Sequence, residues 1–577
     1  MSDAVAFVLL SLLCTTCLAY YRVDQTSGHF VDSSGRERLF HGVNVVYKLP
    51  PYFPPATTFD PQRSFGEKDV DFLFQHGFTA VRLYVSWHGA EPVRGQYNAT
   101  YLDAIEALVE LLGSKGIVSI LDCHQDVMSP LFCGEGFPDH GVVYSNDSDT
   151  LLDFPVPVPS LTPYKVDQLT GYPSRNDCNS HPFYLYYMSY ASCKAWQSFY
   201  DNDEGVRDRF LLFWKEVARR FQSNPNVLGY ELLNEPWTGD LYADPSLIEP
   251  CEKRKILLFS GGLFSSFFLA RLDQKYLAPL YRDLHAAIRS HDTNHIIFFE
   301  AVSDFLSDVR PLGFFISYVL YVRASSQFSL GKLTAAGFTE GPGGWEYNDR
   351  YSTHKKRKLG ENVFFVRQVF SYHVYCPLMD SHGQPRSSVL CDLTDEVLIK
   401  GRQADVKKMN MSGSFVTEWG AFDNFASDSV AARNGQKFLD QLDEQLLSWA
   451  YWQFKGYDDI TTQTVGNEGF WDSAGQLQEP KVKMLSRTYA PMIAGQYINM
   501  SFEAASGWFS VSYRASNVTE EPTQIFINQK LYYPNGYTTT SSPPDAVTFS
   551  FEPPFIIAHH SSSVEHGQVL TIFVTAK

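Results

Sequence analysis

Eight short runs of apolar and β-branched residues recur along the chain, and stretches with a helical period of apolar residues lie between them. The runs cover residues 39–47, 78–87, 116–124, 227–235, 295–302, 370–375, 413–420 and 448–457. In residues 99–116, one predicted helix face carries Leu102, Ile105, Leu108, Val109 and Leu112. Strands that alternate with helices pair in parallel, and eight strand-helix units are typical of a closed (β/α)8 TIM barrel.

The length and the change of pattern near the C-terminus predict a second, smaller domain. At 577 residues the chain exceeds the size at which one hydrophobic core stops growing. After about residue 485 the pattern changes to short alternating strands separated by Gly, Pro, Asn and Ser. We therefore predict an α/β barrel over residues 20–485 and a C-terminal antiparallel β-sandwich over 486–577, in which we find no catalytic constellation.

Residues 1–19 have the form of a secretory signal peptide, with an apolar core and small residues before Tyr20, although they lack the usual positive charge. We expect cleavage after Ala19, and delivery of the protein outside the cell or to a lysosomal or digestive lumen. Five Asn-x-Ser/Thr sequences would be usable in that pathway, which predicts a glycoprotein. They start at Asn98, Asn146, Asn410, Asn499 and Asn517.

The cysteine content also fits an oxidising compartment. Cleavage of the signal peptide would leave seven cysteines, so at least one thiol has no partner within the chain. Spacing alone does not determine connectivity, but Cys178–Cys193 and Cys376–Cys391 are the candidates that close short loops.

The charge of the chain argues against a nucleic-acid partner. The formal net charge is −17, and the one basic cluster, residues 354–358, is too short to neutralise a series of phosphates. The apolar stretches 256–270 and 311–322 are too short to cross a bilayer, so we predict no transmembrane span.

Two glutamates are the main candidates for catalysis. Side chains at the C-terminal ends of barrel strands converge on one mouth. Glu235 ends the fourth run, just before Pro236 forces the chain out of the strand, and Glu418 ends the seventh. Two carboxylates about 5 Å apart are the arrangement that retaining glycosidases use. We predict that Glu418 is the nucleophile and that Glu235 is the acid/base, its pKa raised by the negative charge of Glu418.

Further polar residues stand at the ends of other strands, and together they are much more specific than an Asn-Glu-Pro triplet alone. Arg82 on the second strand and Tyr375 after the sixth are candidate donors that keep Glu418 ionised. His373, two residues before Tyr375, is a candidate supporting residue. Arg82 and His124 could each instead be structural residues whose hydrogen bonds are satisfied in the core.

Several longer motifs carry a family resemblance. They are GVNVVYKLPPY (42–52), LDCHQDVMSPLFCGEGFP (121–138), ELLNEPWTGD (231–240), AAGFTEGPGGWEYN (335–348), SYHVYCP (371–377) and TEWGAF (417–422). In these motifs the barrel resembles glycoside hydrolases of family 5, and among them the endoglycoceramidases, over most of residues 37–485 and the trailing β-domain. The resemblance implies hydrolysis of the β-glucosidic bond that joins a glycan to ceramide in a glycosphingolipid, at a membrane or micelle surface.

The resemblance also implies which residues hold sugar hydroxyls. These are Lys48, His124, Asp126, Asn234, Tyr375 and Trp452. Lysine and aspartate make charge-assisted bonds to hydroxyls, an asparagine can bond the 2-OH, and a tryptophan offers a ring for stacking. Neither a metal nor an organic cofactor is implied, because this mechanism needs only carboxylates and water. Loop aromatics could line a slot for ceramide, with loop packing as the alternative; they are Phe132, Phe137, Trp237, Phe338 and Trp345.

Three stretches interrupt the family pattern, namely residues 252–271, 303–331 and 350–370. One hypothesis is that they are translated non-coding sequence, and the other is that they are loops that touch a membrane. We favour the first, because all three break at junctions between elements and share no amphipathic period.

Two other functions stay open at this stage. The first is a β-glucosidase on other lipid or sterol glucosides, or an endoglucanase. The second is a glycolipid-binding protein without turnover, against which the presence of both Glu235 and Glu418 argues. Glycan specificity, oligomeric state and any need for an activator protein or detergent are not determined by the sequence.

Overall fold

The computed structural model describes most of the barrel and all of the C-terminal domain. The described residues are 20–143, 167, 169, 171–180, 183–244, 272–302, 365–376, 387–409, 411, 413–420, 422, 425–457, 461 and 468–577. Some predictions fall outside them: the signal peptide over 1–19, the insertions over 252–271 and 303–331, and Asn146, Cys251, Phe338, Trp345 and Asn410.

The described elements are as follows. The strands are β1 Arg22–Asp24, β2 Phe30–Val31, β3 Glu37–Arg38, β4 His41–Val45, β5 Ala80–Tyr84, β6 Val118–Asp122, β7 Val227–Glu231, β8 Ile296–Phe299, β9 Phe365–Val366, β10 Gln368–Val374, β11 Ser414–Trp419, β12 Ser448–Tyr451, β13 Tyr489–Ile493, β14 Gly495–Glu503, β15 Trp508–Ala515, β16 Thr523–Phe526, β17 Tyr537–Ser542, β18 Val547–Glu552, β19 Phe555–His560 and β20 Val569–Ala576. The α-helices are α1 Glu67–Gln75, α2 Trp87–Ala90, α3 Ala99–Gly113, α4 Arg175–Cys178, α5 Tyr190–Asp201, α6 Val206–Phe221, α7 Ala278–Arg289, α8 Ser388–Lys408, α9 Val430–Glu444, α10 Glu479–Leu485 and α11 Gln529–Tyr532.

Eight strands close into a parallel barrel, which confirms the predicted fold. Their order is β10-β11-β12-β4-β5-β6-β7-β8, and every neighbouring pair is parallel. Each predicted run contributes one barrel strand. Such strands are covered on both faces, and this explains their continuous Val, Ile and Leu runs rather than an alternation. The predicted core face of α3 is buried as expected.

Two boundaries differ from the prediction. Strand β7 ends at Glu231, so Asn234 and Glu235 lie in the turn beyond it, although Leu232 and Leu233 continue the apolar run. Strand β10 begins at Gln368 and pairs there with Ile297 of β8. Of the predicted third insertion, residues 350–364 lie outside the described residues, and its last residues include strand β9 and the start of strand β10.

The C-terminal domain consists of two antiparallel sheets around a separate core. One sheet has four strands in the order β14-β15-β20-β17. The other has the order β18-β19-β16-β13-β3-β2-β1-β9, so it includes three strands from the N-terminus that the sequence did not predict. Phe30 on β2 packs its ring against Phe40, Phe298 and Phe415 inside the barrel. The N-terminal strands thus close the barrel at the end opposite to its mouth.

The disulfide prediction is half correct. Cys376–Cys391 forms as predicted, but Cys178 pairs with Cys133 and not with Cys193. The loop after β6 brings Cys133 to a Cα–Cα distance of 5.3 Å from Cys178. Cys193 lies on α5 with its thiol 3.4 Å from the carbonyl oxygen of Tyr187, and it is buried and unpaired, as is Cys123.

Two surface properties bear on the predicted cellular location. Among the helices of the described ranges, none has both the length and the apolar character to traverse a bilayer. The predicted glycosylation sites Asn499 and Asn517 are exposed, whereas Asn98 is half-buried and accepts a hydrogen bond from the backbone N–H of Tyr101 at the start of α3.

Candidate active site

The two predicted glutamates meet at the C-terminal mouth of the barrel. Glu418 lies in β11, and Glu235 lies in the turn after β7. One carboxylate oxygen of each, together with a ring nitrogen of His373 from β10, lies within 4.8 Å of the others. This spacing agrees with that of a nucleophile and an acid/base in a retaining glycosidase. Strands four and seven of the barrel therefore bring together two groups that are far apart in the sequence.

Glu418 is held by two donors, Arg82 on β5 and Tyr375 just after β10. Nη1 of Arg82 donates to Oε1 of Glu418 at 2.5 Å, and the hydroxyl of Tyr375 donates to Oε2 at 2.8 Å. Both contacts were predicted from the positions of these residues at strand ends. A charged donor and a hydroxyl that bind different oxygens fix the plane of the carboxylate and stabilise its negative charge.

Glu235 has a different environment. Its Oε1 lies 2.7 Å from Nδ1 of His373. Burial is the main cause that raises the pKa of Glu235, and the charge of Glu418 adds to it, whereas the hydrogen bond and charge of His373 oppose it. The predicted direction of the pKa shift is found, but the repulsion from Glu418 is not its largest cause. A carboxyl group that keeps its proton beside the carboxylate of Glu418 is suited to act as a general acid.

Arg82 has more partners than the sequence indicated. It is fully buried, and besides Glu418 its guanidinium bonds Glu231, Asn44 at 3.1 Å and Asn234 at 2.8 Å. Burial lowers the pKa of Arg82, but the surrounding carboxylates more than reverse this and raise it well above its ordinary value. Arg82 therefore makes the predicted contact with Glu418, and it is also a core residue that makes several other hydrogen bonds, as in the alternative.

His124 and Trp452 form a second wall of the mouth. Their rings stack with centroids 5.2 Å apart and an interplanar angle of 17°. Nδ1 of His124 lies 2.9 Å from Asp122, and Nε2 lies 3.5 Å from Asp126. Although burial lowers the pKa of His124, Asp126 and Asp122 raise it to about 9. The imidazole is therefore cationic at neutral pH, and it presents N–H groups beside the ring of Trp452.

Lys48 and Asp126 lie at the edge of the mouth in a buried network that the sequence reasoning missed in part. Nζ of Lys48 lies 2.7 Å from Oδ2 of Asp126 and 3.5 Å from Glu135. The hydroxyl of Thr461 bonds Asp126 at 3.0 Å and Glu135 at 2.8 Å. Burial raises the pKa of Asp126, but Lys48 and His124 outweigh it and lower the pKa strongly. Spacing along the sequence did not relate Glu135 to Thr461, because they come from loops after different strands.

Two further carboxylates under the mouth were also missed. Glu231 ends β7, and Glu300 directly follows β8. Both are buried beside Arg82, with side-chain contacts from its Nε to Glu231 and from its Nη2 to Glu300 at 3.6 Å. A signal was present, because each is a charged residue within a continuous apolar run, where an acid is found only with a partner.

The predicted ceramide slot is wrong for the residues that the structure describes. Phe132, Phe137 and Trp237 are at most 1% exposed and belong to the main hydrophobic core. Phe137, for example, packs against Trp87 and Phe210. Loop packing, the alternative reading, therefore applies to all three.

Some of these groups have the chemistry of metal ligands. The trios Glu231, Glu300, His373 and Glu235, His373, Glu418 each bring ligand atoms within 4.8 Å of one another. Arg82 already contacts a carboxylate in each trio, so protein groups balance part of their charge.

Comparison with known proteins matches a family 5 glycoside hydrolase model to each of the two domains. Residues 57–458 match the family described as Cellulase (glycosyl hydrolase family 5), and residues 487–574 match the Glycoside hydrolase family 5 C-terminal domain. The endoglycoceramidase of Cyanea nozakii is 32% identical over 96% of this chain and 93% of its own length. That of Hydra vulgaris is 31% identical over 92% of this chain and 84% of its own length.

Solved structures show the same fold. Endo-glycoceramidase II from Rhodococcus sp. in its ganglioside GM3 complex aligns with a TM-score of 0.65 and 17% identity, covering 96% of this chain and all of the other. The same protein as a lactosyl-enzyme intermediate aligns with a TM-score of 0.62 and 16% identity, covering 97% and 100%. Both family models and both relatives therefore give the same result. The chain belongs to glycoside hydrolase family 5 and, within it, to the endoglycoceramidases.

Proposed function

We propose that the protein hydrolyses the β-glucosidic bond between the oligosaccharide and the ceramide of glycosphingolipids and releases both parts intact. The observation that carries the proposal is the approach of Glu235 and Glu418 across the barrel mouth, with oxygens within 4.8 Å. The substrate class is supported by two endoglycoceramidases that align over most of the chain, and by a protein of the same fold that was solved with ganglioside GM3.

In the first step, Glu418 attacks the anomeric carbon, and the bond to the ceramide oxygen breaks. Arg82 and Tyr375 hold the attacking carboxylate from two sides, which restricts it to one orientation. Glu235, whose pKa is raised mainly by burial, gives its proton to the leaving oxygen. The products of this step are free ceramide and a covalent glycosyl-enzyme.

In the second step, Glu235 is a carboxylate and accepts a proton from water as the water attacks the anomeric carbon. Glu418 leaves, and the glycan is released with the β-configuration of the substrate. The cationic His373 next to Glu235 stabilises the ionised form that this step requires.

The sugar next to the scissile bond is held by groups around the two glutamates. We expect Asn234, which directly precedes Glu235, to bond the 2-OH and Trp452 to supply a ring face. Lys48, His124 and Asp126 bond hydroxyls at the mouth. The contacts of Asp126 with Lys48 and His124 hold these groups in fixed positions.

The direct test is incubation of the purified protein with ganglioside GM3 and mass spectrometry of the products. We expect intact oligosaccharide and ceramide in equal amounts. Release of single terminal sugars, or binding of the ganglioside without turnover, would contradict the proposal.

Azide rescue tests the roles of the two glutamates. Glu418→Gly with azide should form a glycosyl azide of inverted configuration, since azide takes the place of the lost nucleophile. Glu235→Gly should instead form a glycosyl azide of retained configuration, since azide replaces the water that attacks the glycosyl-enzyme. An exchange of these two outcomes would reverse the assignment.

We also propose that the mature protein starts near Tyr20, works outside the cell or in a lysosomal or digestive lumen, and carries N-linked glycans. The apolar residues 1–19, the exposed sites Asn499 and Asn517 and the disulfide Cys133–Cys178 support this location. Digestion with an N-glycosidase, followed by N-terminal sequencing of secreted material, is the test.

A further inference from the structure

Glu300 is a buried carboxyl group to which the two-step mechanism above gives no role. It follows β8 and is 3% exposed. Its Oε2 accepts a hydrogen bond from the backbone N–H of Glu235 at 3.2 Å, and its Oε1 lies 3.1 Å from Nε2 of His373. Nδ1 of the same ring lies 2.7 Å from Oε1 of Glu235. Glu300 therefore reaches the acid/base by two routes, through the main chain and through the imidazole.

The main-chain contact acts at a strained residue. Glu235 has a φ of +41°, in the left-handed region that residues with a side chain rarely adopt. Such a conformation persists only where the surrounding structure holds it. The bond from the Glu235 N–H to Glu300 supplies one such restraint, at the residue whose carboxyl must meet the leaving oxygen.

The contact to His373 acts on protonation. Which nitrogen of a histidine carries a proton depends on the partner of the other nitrogen. Burial lowers the pKa of His373, but Glu300, Glu418 and the hydrogen bond to Glu235 raise it well above its ordinary value. With Glu300 at Nε2, the ring keeps its cationic form and its Nδ1–H faces Glu235.

On this geometry we propose that Glu300 is a positioning residue, which fixes the orientation of the general acid/base Glu235 through its backbone N–H and through the ring of His373. The inference rests on the proposed function. It has a chemical consequence: loss of Glu300 should impair substrates whose leaving group needs a proton, and spare those whose leaving group does not.

The test compares two lactosides with wild type and Glu300→Gln. Ceramide leaves lactosylceramide as an alcohol and needs the proton, whereas 2,4-dinitrophenolate leaves its β-lactoside unaided. We expect kcat/KM to fall about 100-fold for lactosylceramide and less than about 3-fold for the dinitrophenyl lactoside, because misplacement of the acid affects only the first. An equal fall for both substrates would overturn the inference, because a merely structural role does not distinguish leaving groups.

The pH profile gives a second readout. The charged and titratable groups that face Glu300 are Arg82 on β5, Glu231 on β7, Tyr281 on α7 and His373 on β10. Burial raises the pKa of Glu300, and the charge of His373 and the hydrogen bond to it oppose the rise. Glu300→Gln removes a carboxyl that favours the His373 cation, so the ionised form of Glu235 loses support. The basic limb of kcat/KM for lactosylceramide should move up by about half a unit to one unit, and an unmoved limb would overturn the inference.

Controls separate positioning from folding and from failure of the function itself. Asp395→Asn removes another buried carboxyl, which bonds Asn434 between helices α8 and α9, and should leave both readouts unchanged. If Glu300→Gln does not fold by circular dichroism, Glu300→Asp keeps the charge but is too short for both contacts, and should show the same substrate pattern. Failure of the wild type on both lactosides would refute the proposed function, whereas equal losses in the variant refute only this inference.

Discussion

Two buried arginines lie at opposite ends of the barrel, and they differ in the number of carboxylates around them. The difference distinguishes the candidate active site from a contact that stabilises the fold. At the mouth, Arg82 is near four carboxylates from four other strands: Asp122, Glu231, Glu300 and Glu418. At the closed end, Arg487 forms ion pairs with two carboxylates of the described residues, Asp440 and Asp443, both on α9.

At the closed end two carboxylates share one arginine. Nε and Nη2 of Arg487 bond Asp443 at 2.9 and 2.7 Å, and Nη2 also bonds Asp440 at 2.6 Å. These contacts join the last helix before β12 to the C-terminal domain. At the mouth, by contrast, four carboxylates surround one arginine, and one oxygen each of Asp122 and Glu231 has no hydrogen-bond partner in the described structure. Crowded negative charge of this kind is costly for stability and marks a functional site.

The largest expected effect is at the two carboxylates that we propose to be catalytic, Glu418 and Glu235. Glu418→Gln and Glu235→Gln should each lower kcat/KM for ganglioside GM3 by at least about 10³-fold, since each removes a group that takes part in bond making or breaking. Thermal stability should be unchanged or higher, because glutamine has nearly the volume of glutamate and its amide costs less to bury than a group that can ionise. Circular dichroism and product assays measure both quantities. The matched control is Asp440→Asn at the closed end, which should keep full activity; more than a tenth of wild-type activity in either glutamine variant would contradict the assignment.

The two arginines give the next largest effect. Arg82→Met and Arg487→Met should each lower the free energy of unfolding by about 3–5 kcal/mol, because each leaves buried carboxylates without their cation. Only Arg82→Met should also lower kcat per folded molecule, by about 100-fold, since Glu418 loses its orientation. Urea unfolding and assays at low temperature separate the two quantities. An active Arg82→Met enzyme, or an inactive but folded Arg487→Met enzyme, would remove the distinction between the two ends.

Two buried histidines sharpen the comparison through pH. At the mouth, the folded-state pKa of His124 is about 9, above the 6.5 of an unfolded chain, because Asp126 and Asp122 favour the cation despite burial. Its contribution, on the order of 3 kcal/mol, is fully present below pH 6.5 and is lost as the pH rises through about 9. Urea unfolding at pH 6 and pH 10 should show a larger advantage of wild type over His124→Gln at pH 6. An equal advantage at both values would contradict a cationic His124.

The smallest expected effect is at the closed end, where the pKa of a buried histidine is lowered and not raised. His41 is sandwiched between Tyr489, at 3.5 Å, and Trp449, at 4.4 Å between ring centroids, and burial and then Arg487 lower its pKa well below 6.5. The unfolded chain therefore binds a proton that the folded one does not, and stability falls by about 1 kcal/mol per pH unit below 6.5. His41→Phe keeps a ring in the stack and should remove this acid-dependent loss, measured as Tm at pH 7 and pH 5. An identical pH dependence in both proteins would mean that His41 does not cause it.

Most of the barrel could be predicted, because each of its strands is buried on both faces and so appears as an apolar run. The errors were at boundaries. Leu232 and Leu233 look like strand residues, but they are buried in the turn that presents Glu235. Strands β2 and β3 have two residues each, too few for any periodicity, although the turn sequence at 32–36 between them was a usable signal.

The candidate site could be predicted only in part. The strand-end rule brought Glu235, Glu418, Arg82, Tyr375 and His373 together correctly, since parallel strands deliver their ends to one mouth. The strand-end rule did not identify Glu135 and Thr461. They lie on loops 326 positions apart, and no rule relates loop residues that follow different strands. The predicted disulfide partner of Cys178 and the predicted ceramide slot at Phe132, Phe137 and Trp237 were wrong for the same reason.

The sequence by itself determined the barrel, its C-terminal partner and the identity of the two glutamates, because these depend on periodicity along the chain and on the common direction of parallel strands. Only the tertiary structure decided how the glutamates differ. Burial of Glu235, two donors on Glu418, and the contacts from Glu300 through His373 all join groups that are distant in the chain. Electrostatic energies depend on separation and on burial in space, and neither quantity can be read from spacing along a sequence.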